Sequence, residues 1–120
     1  MRIASISENH KFEKRIAISP ETAKKYIALG LEVSLTENYA EHLGFKDSEY
    51  KELGVTILKD IKEVISYADV IVQLGLPSDE VTTLMKENQT LIGILDLYNN
   101  KEKIESLSKN KINVFSLELL

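Results

Sequence analysis

Short apolar runs alternate with amphipathic segments along most of the chain. The runs predict strands at residues 2–6, 16–18, 31–35, 55–58, 68–74, 90–97 and 112–119. Between them, apolar residues recur at helical spacing, and the predicted helices follow Ser19, Asp47, Asp60, Ser78 and Asn100, side chains that can accept hydrogen bonds from a helix N-terminus. Regular alternation of strand and helix favours a parallel sheet covered by helices on both faces. The predicted fold is therefore α/β, an open parallel-sheet three-layer sandwich of the flavodoxin or Rossmann type.

Residues 15–22 form the most informative local segment. The apolar run 16–18 predicts a short buried strand, with a cationic side chain, Arg15, at its entrance. Pro20 suits the first helical position, because the N–H that it lacks would be unpaired there in any residue. Gly30 is placed to end this helix in the left-handed conformation.

Composition narrows the classes of function. A chain of 120 residues with 43% hydrophobic residues has enough apolar material for one domain with one core. Its net charge of −4 is spread along the chain, whereas nucleic-acid binding needs a basic face. The sequence has no cysteine, only two histidines, His10 and His42, no secretory-signal pattern and no apolar run of the ~20 residues that span a bilayer. We expect a soluble, intracellular domain with no metal site and no nucleic-acid partner.

The Gly-x-Gly-x-x-Gly fingerprint of dinucleotide-binding folds is absent from this sequence. The turn 74–77 nevertheless follows the most hydrophobic predicted strand, at the edge where open α/β sheets bind ligands. Gly75 in this turn has two readings: it faces a ligand, or it supplies only a tight turn. A dinucleotide site of the usual kind is therefore not expected within these residues.

The order of these features matches a known family. The first strand is followed by Glu8 and then by the stretch Arg15-Ile16-Ala17-Ile18-Ser19-Pro20-Glu21-Thr22. This pattern resembles the N-terminal domain shared by alanine dehydrogenase and the alpha subunit of proton-translocating nicotinamide nucleotide transhydrogenase. Further matching segments are 30–33, 43–50, 68–72, Pro77 and 115–118. The resemblance covers essentially the whole chain.

The resemblance implies a domain organisation and a set of partners. Residues 1–120 would form the N-terminal half of an NAD(H)-binding domain, and the nucleotide-binding half would follow Leu120 and hold most of the NAD(H). NADP(H) would bind on a partner subunit, and the 120 residues alone would be inactive. The implied partners are the remainder of the alpha subunit, the transhydrogenase beta subunit and a second copy in a homodimer. The implied location is cytoplasmic and peripheral to the inner membrane, with membrane contact only through partner domains.

Arg15 is the first candidate site residue. In alanine dehydrogenase, the matching Arg holds the carboxylate of pyruvate, and a guanidinium is suited to bidentate capture of a carboxylate. The alternative is that Arg15 pairs with Glu8 or Glu13 and fixes the loop. The residues alone leave both readings open.

Gln73, Gly75 and Asp96 distinguish the members of the family. In alanine dehydrogenase, lysines that grip the substrate follow the strand that matches 70–74, whereas this chain has Gln73 and Gly75 there. The catalytic His of that enzyme would fall at Asp96, whose carboxylate would repel a carboxylate substrate. The alternative is that Asp96 is a loop carboxylate without a catalytic role.

These departures favour the transhydrogenase alpha subunit, which passes hydride between two nicotinamides and needs no acid/base set. The resemblance therefore predicts no catalytic residue in this chain. Two rival hypotheses remain: an alanine dehydrogenase-like amino-acid oxidoreductase with an altered pocket, and a non-catalytic module for dimerisation or docking.

Overall fold

The computed structural model describes residues 1–119 and shows a six-stranded, all-parallel sheet. The strands are β1 (Arg2–Ser5), β2 (Glu32–Thr36), β3 (Thr56–Leu58), β4 (Val70–Val72), β5 (Thr90–Gly93) and β6 (Asn113–Ser116). The helices are α1 (Pro20–Ala28), α2 (Asp47–Glu52), α3 (Ile61–Tyr67), α4 (Asp79–Thr82) and α5 (Lys101–Lys109). Short 3-10 turns span Glu41–Leu43 and Leu117–Leu119.

The strand order is β3-β2-β1-β4-β5-β6, which is the order of a Rossmann sheet. Strand β1 alternates its side chains between two cores, because Ile3 belongs to one apolar cluster and Ala4 to the other. Buried residues of α1 and α2 join the Ile3 cluster, and buried residues of α3, α4 and α5 join the Ala4 cluster. The predicted three-layer α/β sandwich is thereby confirmed.

Two of the predicted helix starts are capped by their side chains as expected. The Ser19 hydroxyl accepts the N–H of Thr22 at 3.2 Å, and the Asp60 carboxylate accepts the N–H of Lys62 at 3.0 Å. Gly30 follows α1 with φ +86°, the left-handed conformation predicted for it. These local signals determine where α1 begins and ends and where α3 begins.

The predicted strand at 16–18 was wrong. Residues 16–18 are irregular, although Ile18 is fully buried. The N–H groups of Ala17 and Ile18 donate to the hydroxyl of Tyr39 at 3.2 and 3.1 Å instead of joining a sheet ladder. One side chain therefore replaces a neighbouring strand as the hydrogen-bond partner of this segment.

Three predicted caps act differently. Asp47 is the first residue of α2, and its carboxylate accepts the N–H of Asn38 at 2.9 Å rather than one from its own helix. Ser78 and Asn100 stand at helix starts without side-chain caps, and the Asn100 amide donates to the carbonyl of Leu95 at 2.9 Å. Helix α4 is a single short turn that ends at Thr82.

Three predicted strands are shorter than expected by several residues. The first, β4, spans Val70–Val72 rather than 68–74. Strand β5 ends at Gly93 rather than at 97, and the chain then turns at Asp96, whose φ is +52°. Strand β6 ends at Ser116, and the 3-10 turn follows it where strand was predicted to continue to 119. Residue 120 lies outside the described residues.

Two negative findings apply to residues 1–119. No helix there combines the length and the apolar character that a membrane span requires. No three His, Asp or Glu side chains within that range come close enough together to hold a metal ion.

Candidate functional site

The strand order reverses between β1 and β4, so the loops that leave these two neighbouring strands diverge at the carboxyl edge of the sheet. In open α/β sheets, ligands bind in the crevice that such a reversal creates. Here the loop 6–19 follows β1 and the loop 73–78 follows β4. We call the contact zone of Glu8, Gln73, Leu74 and Gly75 the switch-point crevice.

Gln73 is a buried connector within this crevice, with 3% of its surface exposed. Its amide oxygen accepts the N–H of Ile6 at 2.7 Å and the hydroxyl of Ser5 at 3.0 Å. Its amide nitrogen donates to the carbonyl of Ile6 at 3.1 Å and to Glu8 at 2.6 Å. The side chain predicted to face a ligand is thus used to join the ends of β1 and β4.

Glu8 closes the crevice. Its carboxylate accepts the N–H of Leu74 and the N–H of Gly75, each at 3.1 Å, in addition to the Gln73 amide. Burial raises the pKa of Glu8, while the hydrogen bonds from Gly75 and Leu74 lower it. A half-buried carboxylate held by three N–H donors therefore lies where a ligand would enter.

Sequence reasoning considered Glu8 only as a partner of Arg15 and missed its contact with Gly75. A signal existed, because Glu8 follows the first strand and Gly75 follows the fourth. A Rossmann strand order makes those two strands neighbours, and so it would have placed the two loops side by side.

Arg15 makes an ion pair with Glu13 rather than with Glu8. Its Nη2 is 2.7 Å from Glu13 Oε1, and its Nε donates to Oε2 at 3.0 Å. The Arg15 side chain is 69% exposed. Hydrogen bonds from Arg15 hold the pKa of Glu13 at about 2, below its ordinary 4.5. Of the two readings of Arg15, this geometry matches the one in which the guanidinium pairs with a loop carboxylate.

Replacing Arg15 by Ala is expected to raise the pKa of Glu13 from about 2 toward 4.5, because the side-chain hydrogen bond from Arg15 is the largest cause of the depression. The measurement is a pH titration of the Glu13 side-chain carbon resonance by NMR. Arg2→Ala is the matched control, since Arg2 pairs instead with Glu32 at 3.1 Å. An unchanged Glu13 titration in Arg15→Ala would show that the pair does not persist in solution.

Asp96 occupies the turn after β5. Its N–H donates to Glu118 at 3.1 Å, and its carboxylate accepts the side-chain amide of Asn99 at 2.8 Å. Glu118 also accepts the N–H of Leu97, and this hydrogen bond is the main reason that its pKa is lowered. Asp96 borders a groove of about 640 Å³ together with Leu97, Tyr98, Lys101, Ile104, Glu105 and Glu118. The structure therefore brings Gln73 and Gly75 together through Glu8 and places Asp96 in a different groove.

A third concave region, of about 560 Å³, lies beside β2, β3 and α3. None of Arg15, Gln73, Gly75 and Asp96 lines it. We choose the switch-point crevice as the candidate site, because two loops and several polar groups converge there. Cavity volume alone does not identify a ligand site.

Comparison with known proteins identifies a family. Residues 5–120 match the family model described as alanine dehydrogenase/PNT, N-terminal domain. The first portion of the NAD(P) transhydrogenase alpha subunit of Rhodospirillum rubrum is 33% identical, over 100% of this chain and 33% of that protein. Alanine dehydrogenase 1 of Staphylococcus aureus is 29% identical, over 89% of this chain and 28% of that protein.

A solved structure agrees with these sequence matches. The transhydrogenase from Sinorhizobium meliloti superposes with a TM-score of 0.89 at 28% identity, over 98% of this chain and 35% of that one. The chain thus spans about a third of the length of the relatives that it matches.

Proposed function

Because the chain belongs to the alanine dehydrogenase/PNT N-terminal domain family, we propose that it is the N-terminal half of the NAD(H)-binding domain of a proton-translocating NAD(P) transhydrogenase alpha subunit. The complete enzyme would pass hydride from NADH to NADP⁺ and couple this transfer to proton movement. The observation that carries the proposal is the match to a transhydrogenase alpha subunit along the whole chain, at 33% identity.

The side chains at the predicted positions support this choice. The Gln73 amide is buried and satisfied within the protein, and Gly75 offers no side chain. Asp96 brings a carboxylate to the position at which the resemblance implies the catalytic His of alanine dehydrogenase. Reduction of a keto acid needs a group that gives a proton to the carbonyl oxygen. Hydride transfer between two nicotinamides needs mainly orientation of the cofactors, which a rigid α/β half-domain can provide.

The residues of this half do not fit the pyrophosphate of NAD(H). In a dinucleotide-binding turn, a glycine-rich loop leads directly into a helix whose N-terminus faces the pyrophosphate. Here residues 6–19 separate β1 from α1, and Ser19 caps the helix. We therefore assign most of the NAD(H) contacts to a second half of the domain, which would follow Leu120 in the complete subunit.

The proposed partners follow from this assignment. The remainder of the alpha subunit would complete the NAD(H) site, and the beta subunit would carry NADP(H). A second copy would form a homodimer, and the complete complex, through its partner domains, would hold this domain at the cytoplasmic side of the inner membrane.

The test is calorimetric titration of NADH into residues 1–120 and into the same chain extended through its natural reading frame. We expect saturable binding only by the extended chain. NADPH is the matched control ligand and should not bind the extended chain, since it belongs to the partner subunit. NADH binding by neither chain would favour the docking module, and tight binding by the short chain would contradict the division of the site.

An alanine dehydrogenase-like enzyme is the second candidate, favoured by the 29% identity with the Staphylococcus aureus protein. It predicts pyruvate- and ammonia-dependent oxidation of NADH by the extended chain, which Asp96→His would increase. The transhydrogenase proposal predicts no such oxidation by either form.

A further inference from the structure

The two histidines of the chain stack on each other, although they lie far apart in the sequence. The ring centroids of His10 and His42 are 3.7 Å apart, and the ring planes differ by 29°. His10 belongs to the loop 6–19 after β1, whereas His42 belongs to the 3-10 turn Glu41–Leu43. The stack therefore fastens the loop after β1 to the turn that follows β2.

A hydrogen bond supports the same attachment. Nε2 of His42 lies 2.7 Å from the carbonyl oxygen of Lys14, which is also part of the loop. A carbonyl oxygen only accepts hydrogen bonds, so we assign the proton to this ring nitrogen, which donates it. His42 thus holds the loop at two points, through its ring face and through its ring nitrogen.

The surroundings of His10 oppose a positive charge on its ring. Nε2 of His10 is buried and has no hydrogen-bond partner among residues 1–119. A neutral imidazole has one nitrogen without a proton, whereas a charged imidazole carries an N–H on both nitrogens. A charge on His10 would therefore leave a buried N–H donor without an acceptor, which is costly. The closed position of the loop thus favours neutral His10.

No opposite charge is paired with the stack. The charged side chains of the packed segments are Glu8, Lys11, Glu13, Lys14 and Arg15 on the loop and Glu41, Lys46 and Asp47 at and after the turn. Within residues 1–119, none of the ion pairs includes either histidine. Glu8 and Glu13 are engaged elsewhere, with the crevice N–H groups and with Arg15. Charges on both rings would therefore repel each other without an opposite charge to offset them.

We propose that the stack of His10 and His42 is a pH-sensitive latch, which holds the loop 6–19 closed near neutral pH and releases it on acidification. The closed loop binds fewer protons than the released loop, so a fall in pH favours release. Histidine side chains change their charge between about pH 5 and 8, which sets the range. The same loop carries Glu8, so release of the latch would also loosen the switch-point crevice. This inference is independent of the proposed hydride transfer.

The experiment is a measurement of backbone order parameters by nitrogen-15 NMR relaxation on the 120-residue chain at about pH 8 and about pH 5. For residues 10–14 we expect values near 0.85 at the higher pH and below about 0.6 at the lower pH. Strand β1 should keep its values at both pH values, which shows that the framework remains folded. Loop residues that stay ordered at the lower pH would overturn the latch.

His10→Phe is the decisive variant. It keeps an aromatic ring against His42 and removes the buried nitrogen, and a charged His42 can still donate to the carbonyl of Lys14. A cation above an aromatic ring is also attracted to it. The loop of this variant should therefore stay ordered at both pH values. His10→Leu, with the same expectation, replaces it if His10→Phe does not fold.

Glu8→Gln is the matched control, because Glu8 is the other group on this loop whose titration could loosen it. The substitution keeps a polar side chain of similar size in the crevice and removes the titrating carboxylate, so the loop should respond to pH as in the wild type. A response that persists in His10→Phe, or one that disappears in Glu8→Gln, would overturn the latch and assign the response to another group.

Discussion

Gly93→Ala should lower the free energy of unfolding by about 3 kcal/mol, as expected for overpacking between two rigid strands. An added Cβ at Gly93 would lie 2.8 Å from Leu95 Cδ2 and 3.1 Å from the carbonyl carbon of Gln73, with the carbonyl oxygen closer still. Backbone hydrogen bonds hold both sides of this contact, since Gln73 donates to Ile92 at 2.9 Å and Ile94 donates to Leu74 at 2.8 Å. The two chain segments cannot separate without breaking these bonds.

Gly75→Ala is the matched control for this substitution. Its added Cβ would meet only Glu8 Oε1 at 3.6 Å, an ordinary contact, and we expect a change within about 0.5 kcal/mol. Urea unfolding followed by circular dichroism gives both values. Equal stability of the two variants would show that β4 and β5 yield more easily than their hydrogen bonds indicate.

Tyr39→Phe should cost about 2–4 kcal/mol of stability, because it leaves the peptide N–H groups of half-buried Ala17 and buried Ile18 without an acceptor. The Tyr39 hydroxyl accepts from Ala17 and Ile18 and also hydrogen-bonds with Ser5 at 2.8 Å. The Tyr39 residue is only 1% exposed, so water cannot replace the lost acceptor without a rearrangement. The loop between β1 and α1 should become mobile with the same substitution, which amide hydrogen exchange at Ile18 would detect.

Tyr50→Phe is the control for Tyr39→Phe, because it also removes a buried hydroxyl but leaves no peptide N–H without its acceptor. Tyr50 is fully buried and makes one hydrogen bond, to the carbonyl of Ile18 at 2.8 Å. Its loss should cost about 1 kcal/mol, the usual net value of a single hydrogen bond. If urea unfolding gave equal costs for the two variants, the special role of Tyr39 would be refuted.

A structural feature could be predicted from the sequence when the residues that cause it lie close together along the chain. Ser19 and Asp60 cap helices through contacts two or three residues away, and both were predicted from the sequence. Residues 16–18 have the composition of a strand, but their hydrogen-bond partner is Tyr39, more than twenty residues farther along the chain. No local pattern in 16–18 contains that partner.

At the candidate site, too, the contacts between residues close in sequence could be predicted and the distant ones could not. The pair of Arg15 and Glu13 spans two residues, and it was one of the two readings of Arg15 in the sequence. The contact of Glu8 with Gly75 spans 67 residues and depends on the order of strands in the sheet. Residue spacing predicts the elements and many of their ends, whereas the strand order decides which loops meet.

The central place of β1 also governs how the sheet can assemble. Its four residues, Arg2–Ser5, pair with β2 on one side and, through Ile3 and Ala4, with Val70 and Ile71 on the other. Strands β1 and β4 are far apart in the sequence, so their parallel pairing has to overcome the entropy of closing a long loop before any contact is gained. This makes folding slow. Until β4 arrives, the edge of β1 that will carry it is an open strand edge beside the apolar side chains of Ile3 and Ala4. Association of incompletely folded chains should therefore begin at the same seam that later forms the switch-point crevice.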